Sequence, residues 1–222
     1  MAEDARAHGD VYGLLTTLFR EEPTQAILGQ MKTPTFGALM SELGIDLGED
    51  FANGSEAALA EELAVEYARL FLGPGSHISP HESVHHHGDG GDWGSLWGSE
   101  TVKVKRFIES VGVEYASDYA GIPDHISVEL EFLQKLAHAE ADALAKKDWE
   151  RARQALTLEQ RFIDEHLTQW VPFFCDKVMD SAKLPFYREM AGLLKGFLDY
   201  DSERVKVNLA RAQALSPSAP AD

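Results

Sequence analysis

The chain has 222 residues and a mass of 24.5 kDa, enough for one large domain with an ample core, and 37 acidic against 20 basic side chains give it a formal charge of -17 and a pI near 4.8. A field of that sign repels phosphate backbones and anionic lipid, so neither nucleic acid nor membrane is expected as a partner, whereas a basic peptide or protein segment would be drawn in. Cys175 is the only cysteine, which excludes an intrachain disulfide and a multi-cysteine metal site.

The apolar spacing is helical almost throughout. Val11, Leu14, Leu15, Leu18 and Phe19 make a first stripe that ends at Glu21-Glu22-Pro23. Thr24 then caps a second helix through Leu28 and Met31, interrupted by Pro34. A third helix follows Asn53 or Ser55 as cap, with Leu59, Leu63, Tyr67, Leu70 and Phe71 on one face and Gly73-Pro74 as the stop. Tyr67, Phe71 and Leu72 read as core residues. After a long break, Thr101 to Val111 resumes a helix with Val104, Phe107 and Ile108 inward. Pro123-Asp124 opens the longest one, in which Ile126, Leu130, Leu133, Ala137 and Leu144 recur at three- and four-residue steps; Asp124 suits its N-cap.

Trp149 to Trp170 repeats the pattern, Pro172 is expected to begin a short helix carrying Phe173 and Phe174, and Pro185 starts a last one with Phe186, Met190, Leu194 and Leu198. Residues 216–222, Ser-Pro-Ser-Ala-Pro-Ala-Asp, read as a disordered tail behind a single all-α domain over residues 1–215. Roughly eight to ten helices of ordinary length fit that span, and no alternating apolar run predicts a sheet. The N-terminus lacks the basic patch and apolar run of a secretory signal, and no stretch is long enough to span a bilayer, so a cytoplasmic protein is expected.

Residues 73–100 break the helical rhythm, and a loop of that length inside a compact domain is usually functional or disordered. It holds Gly88, Gly90, Gly91 and Gly94 together with Trp93 and Trp97, apolar side chains that either pack on the core or line a groove for a partner's apolar segment. It also contains His81-Glu82-Ser83-Val84-His85, which fits H-E-x-x-H, the pattern in which two histidines one helical turn apart hold zinc and the glutamate activates water. On that reading the chain is a zinc-dependent metallohydrolase with His81 and His85 as metal ligands. The mechanism needs a regular helix, and Gly88, Asp89, Gly90, Gly91 and Asp92 follow almost at once, a composition that favours loop.

Tyr67-x-x-Leu70-Phe71-Leu72-Gly73-Pro74, Pro80-x-Glu82-Ser83, Leu96-Trp97-Gly98 with Thr101, and Pro123-Asp124-His125-Ile126 before Glu129-Leu130-x-Phe132-Leu133 together resemble the TorD family of redox-enzyme maturation chaperones. Phe162-Ile163-x-x-His166-Leu167-x-x-Trp170-x-Pro172-x-Phe174 is similar to the same family, so the likeness runs through nearly the whole chain after Glu61. His81 stands where the family often has tyrosine, and Gly121-Ile122 where it often has a glutamate-proline pair; the first departure is what creates the H-E-x-x-H match.

The resemblance implies an all-helical cytoplasmic chaperone, monomer or homodimer, that binds the twin-arginine signal peptide or the apo form of a molybdenum-containing oxidoreductase subunit until its cofactor is inserted. It implies client-binding roles for Glu82, Ser83, Trp93, Trp97, Asp124 and His125. Glu82 and Asp124 would accept charge-assisted hydrogen bonds from an arginine, with His125 fixing their geometry. No phosphate-binding glycine loop or nucleophile elbow occurs, and Cys175 beside Phe173 and Phe174 reads as an inert buried thiol, so binding without turnover and without a cofactor is expected.

Overall fold

Helix α1 (Ala2–Arg20) buries Ala5, Tyr12, Leu15, Leu18 and Phe19 along one stripe and lies lengthwise on α8 (Ile126–Ala145), whose Ile126, Leu130, Leu133 and Ala137 have no exposed surface. The two axes come close because glycines face the contact. A Cβ on Gly9 would sit 2.3 Å from the His138 ring, and one on Gly13 would sit 2.3 Å from the Gln134 amide. The computed structural model describes residues 1–73, 77–86, 94, 96–113 and 121–215, with side chains as far as residue 212. The expected tail at 216–222 and Trp93 lie outside these residues.

Between α1 and the site run α2 (Gln25–Met31), α3 (Pro34–Glu42), α4 (Glu49–Asn53) and α5 (Glu56–Tyr67). Three of these starts are capped as their sequence demands: the side chains of Thr24, Thr33 and Ser55 accept the N–H of Ile27, Phe36 and Ala58. Then come α6 (Glu82–His85), α7 (Ser99–Ser110), α8, α9 (Trp149–Phe162), α10 (Thr168–Ser181) and α11 (Pro185–Leu215). The described residues contain no strand, only one isolated antiparallel bridge between His81 and His125. The protein is all-α.

Two wide π-turns depart from simple helical reading. The first, Ala68–Leu72, continues α5, keeps Leu70 and Phe71 in the core, and turns Leu72 outward at 64% exposure, so Leu72 is not a core residue. The second, Ile163–Leu167, joins α9 to α10, so that Pro172 lies inside α10 instead of starting a helix. Carbonyls around that turn are taken by side chains: Thr168 Oγ1 donates to Ile163 O at 3.1 Å, and Gln169 Nε2 donates to Asp164 O at 2.9 Å.

The core is aromatic. Tyr12, Phe19, Phe162, Trp170, Phe174, Phe186 and Tyr187 are fully buried, and the hydroxyls of Tyr67 and Tyr187 donate to the carbonyls of Phe19 and Leu63, both at 3.2 Å. Cys175 is buried among them, and burial pushes its thiol up, as an inert cysteine requires. Arg204 of α11 ties its helix to α8 and α9 directly, and to α1 through Asp201. Its Nη1 donates to Glu140 of α8 at 3.0 Å, its Nη2 to Glu159 of α9 at 2.9 Å and its Nε to Asp201. Asp201 in turn accepts from Tyr12 Oη at 2.8 Å and meets His8 of α1, also at 2.8 Å.

Candidate functional site

Residues 77–86 are sewn to the start of α8 by backbone. Ile126 N–H donates to Pro80 O at 2.8 Å, Glu82 N–H donates to Asp124 O at 3.0 Å, and Ile78 N–H donates to Leu70 O at 2.7 Å. Asp124 is the knot. Its Oδ2 accepts Ser83 N–H at 2.8 Å and its Oδ1 accepts the Thr101 hydroxyl at 3.0 Å, so one carboxylate joins α6, α7 and the chain entering α8. Asp124 therefore caps α6, while α8 begins one residue later than expected, with the His125 ring accepting Ser127 N–H at 3.1 Å. Gly94 passes so close that a Cβ there would stand 1.7 Å from Ser83 O.

The structure brings Glu82, Ser83, Asp124 and His125 into one cluster. Glu82 and Asp124 have no exposed surface and Ser83 is 3% exposed. Both Asp124 oxygens already accept a bond from within the protein, and the side chain has no surface exposed to an incoming guanidinium. Trp97 stands apart on the surface at 65% exposure, in a left-handed conformation with φ of 64° that a bulky side chain rarely adopts.

His81 and His85 do not form a ligand pair. Helix α6 is a single turn that starts at Glu82, and His81 precedes it in extended conformation, its ring edge-on to His125 with centroids 4.9 Å apart. His85 donates from Nε2 to Ser79 O at 2.7 Å and stacks on Trp170 at 5.2 Å. Burial lowers the pKa of both rings and that of His125 further, to about 3, where His81 adds to the effect; all three are neutral at physiological pH. The H-E-x-x-H match thus lacks the regular helix that the zinc pattern needs, and the two imidazoles face different neighbours.

Behind the knot lies a further group of polar residues to which the sequence reading gave no client-binding role. His166, held in the second π-turn, donates from Nδ1 to both oxygens of Glu82 at 3.0 and 3.2 Å, and His86 Nε2 reaches Glu82 Oε1 at 3.2 Å. Glu129, fully buried on α8, accepts Trp170 Nε1–H at 3.1 Å. Burial, reinforced by the charge of Glu82, pushes the Glu129 carboxyl well above the usual range, which favours its protonated form. Glu100, at the start of α7, brings a carboxylate oxygen to the same place: the donor atoms of Glu82, His86 and Glu100 all lie within 4.8 Å of one another. These residues open onto a cavity of about 660 Å³ lined by His86, Glu100, Lys103, Phe107, Arg161 and His166. The available signal was a polar residue on an apolar face: Glu129 sits between Val128 and Leu130, and His166 precedes Leu167 in a stripe shared with Phe162 and Ile163.

A second cavity, of about 480 Å³, lies between residues 77–85 and α10, lined by His77, Ile78, Ser79, Val84, His85, Lys177 and Ser181. Phe173 meets His85 edge-on at 5.9 Å beside it and is 44% exposed.

Comparison with known proteins converges on one group. The profile of the nitrate reductase delta subunit family matches residues 35–176. The chaperone protein TorD of Vibrio atlanticus is 24% identical over 207 residues, covering 87% of this chain and 92% of its own. That of Vibrio vulnificus is 25% identical over 210 residues with the same coverage, and that of Photobacterium profundum is 29% identical over 142 residues, 64% of this chain and 62% of its own. Among solved structures, one assigned as a redox enzyme maturation protein from Archaeoglobus fulgidus shares the fold, with a TM-score of 0.52 at 21% identity over 86% of this chain and 93% of that one.

Proposed function

The chain belongs to the nitrate reductase delta subunit family, and from that premise we propose that it is a chaperone for a molybdenum-containing oxidoreductase subunit, binding its twin-arginine signal peptide or its apo form until the cofactor is in place. The work is binding, not turnover, in keeping with relatives that are named chaperones. The observation that carries the reading is a pair of exposed aromatic side chains, Trp97 and Phe173. Trp97 is held outward in a strained backbone conformation, and the half-exposed Phe173 flanks an apolar-floored cavity built on Ile78 and Val84.

A signal peptide of this class joins a cationic segment to an apolar one. The apolar part covers Trp97 and Phe173, and the formal charge of -17 draws in the cationic part. Glu82, Ser83, Asp124 and His125 act by holding the 77–86 segment and α7 in register, so that this surface has one shape. Trp93 belongs to the same contact.

The test is recovery of the client from native lysate, using a tag that does not rely on histidine, followed by mass spectrometry. An unprocessed molybdoenzyme subunit is expected, and Trp97→Ser should weaken its binding by about tenfold or more, as loss of an exposed aromatic anchor does. Recovery of no such subunit from either protein would overturn the reading.

A further inference from the structure

We propose that Glu82, His86 and Glu100 form a binding site for one divalent transition-metal ion, zinc before manganese, held by two carboxylates and one imidazole. The site is distinct from the H-E-x-x-H pair, whose histidines are engaged elsewhere, and it does not rest on the client reading.

The geometry is close to complete. Ligand atoms about 2.0–2.2 Å from a tetrahedral ion stand roughly 3.3 Å from one another. Glu82 Oε1 and His86 Nε2 are already 3.2 Å apart, and the carboxylate of Glu100 completes a triangle with no side above 4.8 Å. Glu82-x-x-x-His86 spans one turn through α6, whereas Glu100 comes from the start of α7, so an ion here would tie the two elements together. Glu100 now bonds to Lys103 Nζ at 2.8 and 3.0 Å, but Lys103 is 63% exposed and free to swing into solvent. The cavity of about 660 Å³ that includes His86, Glu100 and Lys103 supplies the route in.

Electrostatics independently single out Glu82. It is fully buried, yet among the described residues no guanidinium or ammonium bonds to it; its side-chain partners are His166 and His86. A buried carboxylate in that position gains from a fixed positive charge. His166, bonding to both Glu82 oxygens through Nδ1, is placed as the outer partner that orients a ligating carboxylate. On binding, His86 turns the Nε2 lone pair to the ion and carries its proton on Nδ1. The oxygen and nitrogen donors suit zinc or manganese, and zinc binds the more tightly at a given site of this kind.

The experiment is a zinc titration of the untagged full chain, with a competing chelator to fix the affinity and thermal melting to confirm that each variant is folded. One equivalent of zinc is expected. His86→Ala should weaken it by about 100-fold or more, and Glu100→Gln and His166→Gln by about 10-fold or more, since even outer-shell losses cost that much. The double variant His81→Ala/His85→Ala should bind as the parent does. X-ray absorption should show oxygen and nitrogen neighbours without sulfur. The proposal is overturned if zinc fails to bind at millimolar concentration, if its affinity is the same in His86→Ala and Glu100→Gln as in the parent, or if it is lost on His87→Ala instead. Neither result bears on client capture, because Trp97 and Phe173 remain intact throughout.

Discussion

The Arg204 hub and the Glu82 cluster each bury three carboxylates, Asp201, Glu140 and Glu159 in one and Glu82, Asp124 and Glu129 in the other, yet they are balanced by different means. The hub contains a guanidinium that bonds all three, and those bonds cross-link α8, α9 and α11, with Tyr12 and His8 adding α1. Among the described residues, no guanidinium or ammonium bonds to the Glu82 cluster; it is held by backbone N–H groups, a threonine hydroxyl, two histidines and the Trp170 indole N–H. A charge fixed at every pH makes a lock, whereas protons and neutral donors can be exchanged for something else. The lock sits where helices meet, and the exchangeable cluster sits where residues 77–86 join the starts of α7 and α8.

Removing the guanidinium should break the first arrangement with the largest effect. Arg204→Met leaves Asp201, Glu140 and Glu159 without their counter-charge and is expected to cost about 3–5 kcal/mol in urea denaturation, the usual result of orphaning one side of a buried ion pair. A loss under about 1 kcal/mol would show that the hub is not a lock.

The second arrangement should respond to acid through His125. His125 is held neutral, with its folded pKa lowered to about 3, so the unfolded chain binds its proton first as pH falls below the ordinary value near 6.5. The stability His125 supplies is complete above that value and is lost as pH falls toward 3. Between pH 6.5 and 5 this amounts to about 2 kcal/mol. His125→Asn keeps a capping side chain and removes the titration, so denaturation at pH 7 and pH 5 should show the parent losing about that much more than the variant. Parallel losses would exclude His125 as the source.

The finest distinction is at Glu129, where the sign reverses. Its folded pKa is raised by burial and by Glu82, so its contribution is present below the unfolded value near 4.5 and declines as pH rises. Glu129→Gln imitates the protonated acid and keeps an acceptor for Trp170. The variant should match the parent near pH 4.5 and exceed it in stability by a margin that widens toward pH 8. An equal slope in both proteins would place the proton elsewhere.

Much of the fold was legible because it rests on local physics. The stripe in α1, the caps at Thr24 and Ser55, the stop at Gly73 and the buried Cys175 each follow from neighbours within one or two turns. Leu72 and Pro172 were misread because a π-turn changes the angular step without changing composition, and apolar periodicity assumes a constant step. At the site, Glu82, Ser83, Asp124 and His125 were recognised as a group through family likeness, but burial and partners were out of reach: Asp124 caps a helix that begins 42 residues before it.

By itself, then, the sequence determined an all-α chain with a strong net negative charge, because helix period, capping and net charge are properties of near neighbours and of composition. Only the tertiary structure decided which charges are locked and which can be exchanged. Arg204 finds Glu140 and Glu159 across 64 and 45 residues, and Glu82 finds His166 across 84; whether a buried carboxylate meets a guanidinium or an imidazole depends on how the helices pack, which no local pattern encodes.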